Sequence, residues 1–337
     1  MGMDVVELTR DLILLESHTD STPIFSYVTD ILRDLGAEIK VCGSKNSPAL
    51  LAEFGEGGVV FSGHLDTVAM GEWEVAQGTI QDGRLYGRGS SDMKSGCAAM
   101  IAAAETLKDE VPFCLAFTTD EETTMKGAED LAQLLHLKET PIILLGEPTG
   151  LKVGTGEKGV LWLEGTIHGT PSHGSMPWMG ENAILTMINH LKFITPYTDR
   201  DGMTINIGLI EGGRQINVTA DTCTVHFDVR YPPQMGREEV IEEMESLTNL
   251  PLLEKHHLPP VSIDPGQDIL RSLIDLSLGL CTCYYATEAI KYTPIPTVII
   301  GPGEMEMAHR RNEYVDIWQI EKAVDIYTKY AKKVSNS

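Results

Sequence analysis

Four stretches of the chain are almost continuously apolar yet only strand-long: "GVVFSGHLD" (58–66), "FCLAFTTDEE" (113–122), "PIILLGEPT" (141–149) and "PTVIIGPG" (296–303). Strict alternation would mark a sheet with one wet face, whereas unbroken runs mark strands covered on both faces. Between these runs the spacing turns helical. Residues 4–35 predict a helical region, with a second helix from Pro23 to Leu35, and "KSGCAAMIAAAETLKD" (94–109) predicts an alanine-rich helix. Strands alternating with helices predict an α/β domain on a largely parallel sheet.

From about residue 155 the pattern changes to strand 159–168, helix 181–194, strands 203–211 and 221–231, helix 236–247 and strand 250–257. That βαββαβ order is ferredoxin-like. The α/β pattern resumes near Asp264 with "DILRSLIDLSLGL". The expected architecture is a discontinuous α/β domain, 1–154 with 260–337, whose mixed, largely parallel sheet is flanked by helices. A ferredoxin-like α+β domain at 155–259 interrupts it.

Composition narrows the function. The chain has 337 residues, 42% of them apolar, with 32 glycines and 17 prolines spread without blocks, as expected of a globular protein of two domains. A formal charge of -23 argues against nucleic acid and anionic membrane as partners, since both are bound through clustered Lys and Arg. Cations suit such a surface, although solubility alone accounts for it equally well. The cysteines Cys42, Cys97, Cys114, Cys223, Cys281 and Cys283 show no C-x-x-C spacing and read as free thiols in a reducing compartment. "MGMDVVELTRDLILLESHTD" carries acids where a secretion signal carries lysines, so a soluble cytoplasmic protein is expected.

Ligands gather beyond the carboxyl ends of parallel strands, and each apolar run ends in groups that bind metal. These are His64 and Asp66, then Glu121 and Glu122 after Asp120, then Glu147, then His309 after "EMEMA". His64 and Asp66, two apart on an extended segment, face the same side, so one can ligate while the other orients it. Asp92 in "YGRGSSDMKSG" stands on a tight turn opening the alanine-rich helix. Five candidates, His64, Asp92, Glu122, Glu147 and His309, suit two divalent ions sharing a bridging carboxylate. Glu121, left free beside a metal-activated water, suits a general base. Taken singly, each residue has an ordinary structural reading, because a histidine after a strand is usually a satisfied neighbour and D-E-E is often a solvated helix start. Neither nucleotide fingerprint is met by "GRGSSDMKSG", and no G-x-S-x-G elbow supports a serine hydrolase.

In order, "SGHLDTV", "LYGRGSSDMKSG", "TTDEE", "GEPT", "HGTPSHGSMPWMGENAI" and "GPGEMEMAHRRNEYV" resemble the successive signatures of one co-catalytic zinc family. That family contains succinyl-diaminopimelate desuccinylase, acetylornithine deacetylase, aminoacylase and the glutamate-releasing carboxypeptidases. The resemblance runs from about residue 58 to 315. It implies two Zn2+, with Co2+ or Mn2+ as substitutes: His64, Asp92 and Glu147 on one, Asp92, Glu122 and His309 on the other. It further implies Glu121 as base, Asp66 behind His64, a cis Asp92–Met93 peptide, and an inserted domain that dimerises. His173 in "SHGSMP" matches the histidine that reaches the partner's active site in this family and stabilises the oxyanion. Arg230 in "FDVRYP" and Asn217 in "GGRQINVTA" match positions that contact substrate in relatives, though Arg230 could equally pair with Asp228 or Asp221. His168 has no match and is left structural. The chain is short for the family, and the segment after Asn217 lacks the proline often found there.

The implied function is hydrolysis of the amide of a small N-acyl amino acid, in the deacetylase and desuccinylase branch, by a homodimer. A dipeptidase or carboxypeptidase acting on small peptides is the alternative on the same scaffold. A non-catalytic, metal-stabilised relative would be expected to lack the base or a ligand, and here all are present.

Overall fold

The computed structural model describes residues 2–136, 140–192, 194 and 202–336; Phe193, in the predicted helix 181–194, lies outside them. Strands Phe113–Thr118, Val59–His64, Ile143–Leu145 and Thr297–Ile299 lie side by side and parallel, in that order. Along them, alternate side chains enter two separate apolar cores. Phe61, Leu115, Leu144 and Val298 pack on one face, while Val60, Cys114, Ala116 and Ile143 pack on the other. Both faces are dry, which is why the runs are unbroken.

The sheet is mixed because Ser47–Phe54 joins Phe113–Thr118 antiparallel, followed by Glu38–Ser44, and because Val153–Glu157 joins Thr297–Ile299 antiparallel. The hairpin Glu38–Phe54 escapes the pattern, since its outer strand is largely exposed and carries no apolar run. A small separate sheet of Thr79–Gln81, Arg84–Tyr86 and Tyr314–Asp316 also escapes it.

The alanine-rich helix forms over Lys94–Leu107 and is buried almost all round. Its small side chains let it lie close between the sheet and the helices Val5–Leu14 and Ile317–Ser335. Closest approach falls at Gly96, where an added Cβ would stand 2.3 Å from the Gly146 carbonyl oxygen. That contact brings the start of the helix, hence Asp92, up against the end of strand Ile143–Leu145, hence Glu147.

Contacts divide the chain into two compact units, Met1–Gly156 with Ser262–Cys283 and Thr287–Ser337, and Glu157–Val261 with Tyr284–Ala286. Within the second, strands run in the order Thr204–Gly212, Thr222–Tyr231, Gly159–His168 and Leu252–Leu258, every pairing antiparallel. Helices Ala183–Leu191 and Arg237–Thr248 cover one face through Ala183, Met187, Val240 and Met244. Among the described residues no helix is long and apolar enough to cross a membrane.

Candidate metal centre

His64 ends its strand fully buried, with Nδ1 3.0 Å from the Asp66 carbonyl oxygen and 3.5 Å from the Asp66 carboxylate. A carbonyl can only accept, so Nδ1 carries the proton and donates. Nε2 then faces Asp92 Oδ1 at 3.1 Å and Glu147 Oε1 at 3.6 Å. The other oxygen of Asp92 lies 3.3 Å from His309 Nε2, which also meets Glu122 Oε1 at 3.0 Å. One carboxylate thus turns its two oxygens to two imidazoles. The Asp66 carboxylate also accepts the backbone N–H groups of Glu121 at 3.2 Å and Glu122 at 3.1 Å. The histidine and the D-E-E loop are therefore held by the same residue, one through its carbonyl and the other through its carboxylate.

Donor atoms fall within 4.8 Å of one another in three sets: His64 with Asp92 and Glu147, Asp92 with Glu122 and His309, and His64 with Glu121 and Glu122. The seven residues predicted in the first unit are brought together. Asp120, the first acid of the run, is not among them. Its buried carboxylate accepts from Lys126 N and Gly127 N at 2.9 Å and from the Thr124 hydroxyl, fixing the start of helix Lys126–His136. The Asp92–Met93 peptide is cis.

The charges are unbalanced. Burial raises Glu147 well above the usual carboxylate range, with Asp92 and Glu121 adding to it against His64. Burial likewise raises Glu121, with Glu122 and Asp92 adding to it against the same imidazole. Burial would raise Asp92 too, yet hydrogen bonds from His309 and His64 hold it below the usual range. Burial opposes charging His64, but Glu147, Asp66 and Asp92 raise it well above 6.5. Hydrogen bonds to Asp92 and then Glu122 push His309 up to about 10. A deprotonated Nε2 facing two carboxylates is repulsive unless a cation stands between them. Two imidazoles and three carboxylates, one of them shared, fit a pair of divalent ions.

Protons and metal therefore compete for the same atoms. Protonated His309 contributes stability to the metal-free protein that is complete below its ordinary 6.5 and is lost as pH rises towards about 10. At pH 7 metal uptake is expected to release at least about one proton per chain, the one on His309, with more from the crowded His64 and Glu147. Calorimetric heats in buffers of different ionisation enthalpy measure this number, and a value near zero would contradict the ligand assignment.

The other predicted residues lie in the second unit. His173 and Asn217 are on adjoining loops: Gly174 N donates to Asn217 O at 2.7 Å and Thr219 N to Ser172 O at 2.9 Å. Gly174 has no room for a side chain, since a Cβ would stand 2.9 Å from the Asn217 backbone. The exposed His173 ring accepts at Nδ1 from Ser175 N at 3.2 Å. Its proton is then on Nε2. Arg230 is paired in two-pronged fashion with Asp228, at 2.8 and 3.0 Å, while Asp221 pairs with Arg214. His168 ends strand Gly159–His168, exposed and opposite Thr222.

Glu288 and Glu313, buried acids of the first unit, escaped the sequence reading. Glu288 accepts from the Tyr292 hydroxyl at 3.2 Å, and burial pushes it up to about 7. Glu313 is wholly buried against the Asp92 turn. Nothing in "ATEAI" or "RRNEYV" sets them apart from surface glutamates.

The family profile described as Peptidase family M20/M25/M40 matches residues 60–333. The acetylornithine deacetylase of Pasteurella multocida (strain Pm70) is 31% identical over 360 aligned positions, spanning 94% of this chain and 92% of its own. A tripeptidase from Staphylococcus aureus subsp. aureus Mu50 superposes with a TM-score of 0.84 at 18% identity, covering 99% of this chain and 98% of its own. A Bacillus subtilis protein described as a dinuclear metal binding peptidase superposes with a TM-score of 0.74 at 16% identity, over 99% and 98%. At such identities the two structures speak for the fold alone.

Proposed function

The chain belongs to peptidase family M20/M25/M40, and from that premise we propose that it removes the acyl group from a small N-acyl amino acid of acetylornithine or succinyl-diaminopimelate type. It is a hydrolase acting on amides. Asp92 facing His64 and His309 at once, with Glu121 beside them, carries the hydrolytic reading, and the 31% identity to an acetylornithine deacetylase supports the N-acyl substrate. We assign two Zn2+, replaceable by Co2+ or Mn2+, to His64, Asp92 and Glu147 and to Asp92, Glu122 and His309. When bound, such ions polarise a carbonyl and make a water acidic near neutrality.

Glu121 takes the proton of the attacking water at its carboxylate and returns it to the leaving nitrogen. Desolvation suits it to this, because a raised carboxyl holds a proton where an exposed glutamate has lost it. Asp66 keeps His64 in the tautomer that presents Nε2. His173 donates from Nε2 to the oxyanion of the other subunit's site, and Asn217 and Arg230 contact substrate. Arg230 would do so with a guanidinium already aligned by Asp228.

A homodimer supplies that exchange. Strand Thr204–Gly212 is one edge of its sheet and exposes Leu209 and Ile210, and the helix beside it in sequence exposes Leu185 and Ile188. An apolar edge of this kind is a liability unless a second chain covers it. We place the enzyme in the cytoplasm.

A hydrolysis screen of the zinc-loaded protein tests the reading, with acetylornithine, succinyl-diaminopimelate, other N-acyl amino acids, dipeptides and tripeptides as substrates. The highest kcat/KM is expected on an N-acyl amino acid. Turnover confined to peptides with a free amino terminus would move the assignment to a peptidase, the activity named for the Staphylococcus aureus neighbour.

A further inference from the structure

We infer that Glu313 is a positioning residue for the metal centre: held by Arg88, its carboxylate fixes the turn that carries Asp92 and so sets the gap between Asp92 and His309. The inference rests on the two-ion reading of the site. Glu313 Oε1 accepts two consecutive backbone N–H groups, Ser91 at 2.8 Å and Asp92 at 3.0 Å. Glu313 Oε2 accepts from Arg88 Nη1 at 2.7 Å. Acid and guanidinium are both buried.

The small sheet explains how residues so distant in sequence meet. Strand Arg84–Tyr86 pairs antiparallel with Tyr314–Asp316, so Gly87, just past the first, falls opposite Glu313, just before the second, and Arg88 one residue on is within its reach. Gly87 N donates to Glu313 O at 3.0 Å and extends the register.

The turn is also gripped from the other side. Ser91 Oγ donates to Glu304 O at 3.2 Å, and a Cβ on Gly303 would fall 2.3 Å from Ser91 Oγ. Glu304 and Glu313 flank His309 in sequence. Both ends of the segment bearing His309 are thus tied to the turn bearing Asp92. His64 has one tie outside that turn, through Asp66, beside its own N–H on Met93 Sδ at 3.3 Å. Asp92 serves both ions, but the tie governs two ligands of the ion on Asp92, Glu122 and His309 and a single ligand of the one on His64, Asp92 and Glu147, so loosening Glu313 should weaken the first the more.

The test is Co2+ titration of the metal-free protein by calorimetry, with the visible absorption of each bound equivalent as a record of its geometry. Glu313→Asp keeps the charge and shortens the reach; Glu313→Gln keeps the shape and sets an amide N–H against Arg88. Wild type is expected to take up two equivalents. Each variant should keep its far-ultraviolet dichroism and one binding step within about 3-fold, while the other step weakens by about 10–100-fold, the usual effect of losing a group that orients ligands. Arg88→Lys, which keeps the charge without the planar fork, decides the matter should both Glu313 variants lose their fold. Two unchanged steps, or two steps weakened alike, would overturn the inference. A wild type that binds a single equivalent overturns the two-ion reading and this inference with it.

Discussion

Glu121→Gln is expected to lower kcat by about 10²–10⁴-fold, the range for loss of a general base, while the protein still binds two equivalents of metal. The expectation separates two adjacent glutamates by geometry. Their backbones are pinned alike, each N–H donating to one oxygen of Asp66. Their side chains then part. Glu122 Oε1 reaches His309 Nε2 at 3.0 Å and completes a set with Asp92. Glu121 can also approach His64 and Glu122 within 4.8 Å, so a ligand role for it is a real competitor. Glutamine keeps the volume but cannot accept a proton at neutral pH. Metal analysis beside kinetics decides: activity lost with both ions retained makes Glu121 the base, whereas an ion lost with it exchanges the roles of Glu121 and Glu122. Thermal midpoints should hold or rise, since a raised carboxyl crowded by Glu122 and Asp92 is a destabilising neighbour in the metal-free protein.

What could be read in advance divides along one physical line. Strands covered on both faces announce themselves, because most residues are apolar whichever way they point; Val59–His64 and Phe113–Thr118 are of this kind. Strand Glu38–Ser44 is largely exposed, half-burying only Ile39 and Cys42, and is placed mainly by pairing with Ser47–Phe54, which no local pattern encodes. The candidate ligands were legible because chemistry restricts them to a few types and topology collects them at strand ends. Groups that act through those residues were not. Arg88 and Glu313 meet across 225 positions, and each sits in a stretch that looks like a solvated loop. Asp120 belonged to a run of three acids, yet its oxygens serve a helix start, a distinction set by where the chain turns after Glu122. Arg230 shows the reverse: its neighbour two residues back on the same face of the strand was a plausible partner from spacing alone, and the ion pair with Asp228 forms.

Mixing His173→Ala subunits with Glu121→Gln subunits is expected to restore activity that neither homodimer has. Ser175 N donates to His173 Nδ1, so the ring proton sits on Nε2, exposed and free to meet a developing negative charge. Loss of one such donor costs about 10²–10³-fold in kcat, so the His173→Ala homodimer should be nearly as inactive as the Glu121→Gln homodimer. The exposed edge strand Thr204–Gly212 lies in the same compact unit as His173, so the element proposed to pair the subunits also carries the exchanged histidine. In a mixed dimer the two lesions then fall together in one site, and the other keeps its own Glu121 and the partner's His173. Activity per heterodimer should rise towards about half that of wild type, because one of two equivalent sites is whole. Native mass spectrometry of isotope-labelled subunits establishes that exchange has taken place. Recovery after exchange places His173 in the neighbouring site, and absence of recovery despite exchange means that His173 serves its own chain or none.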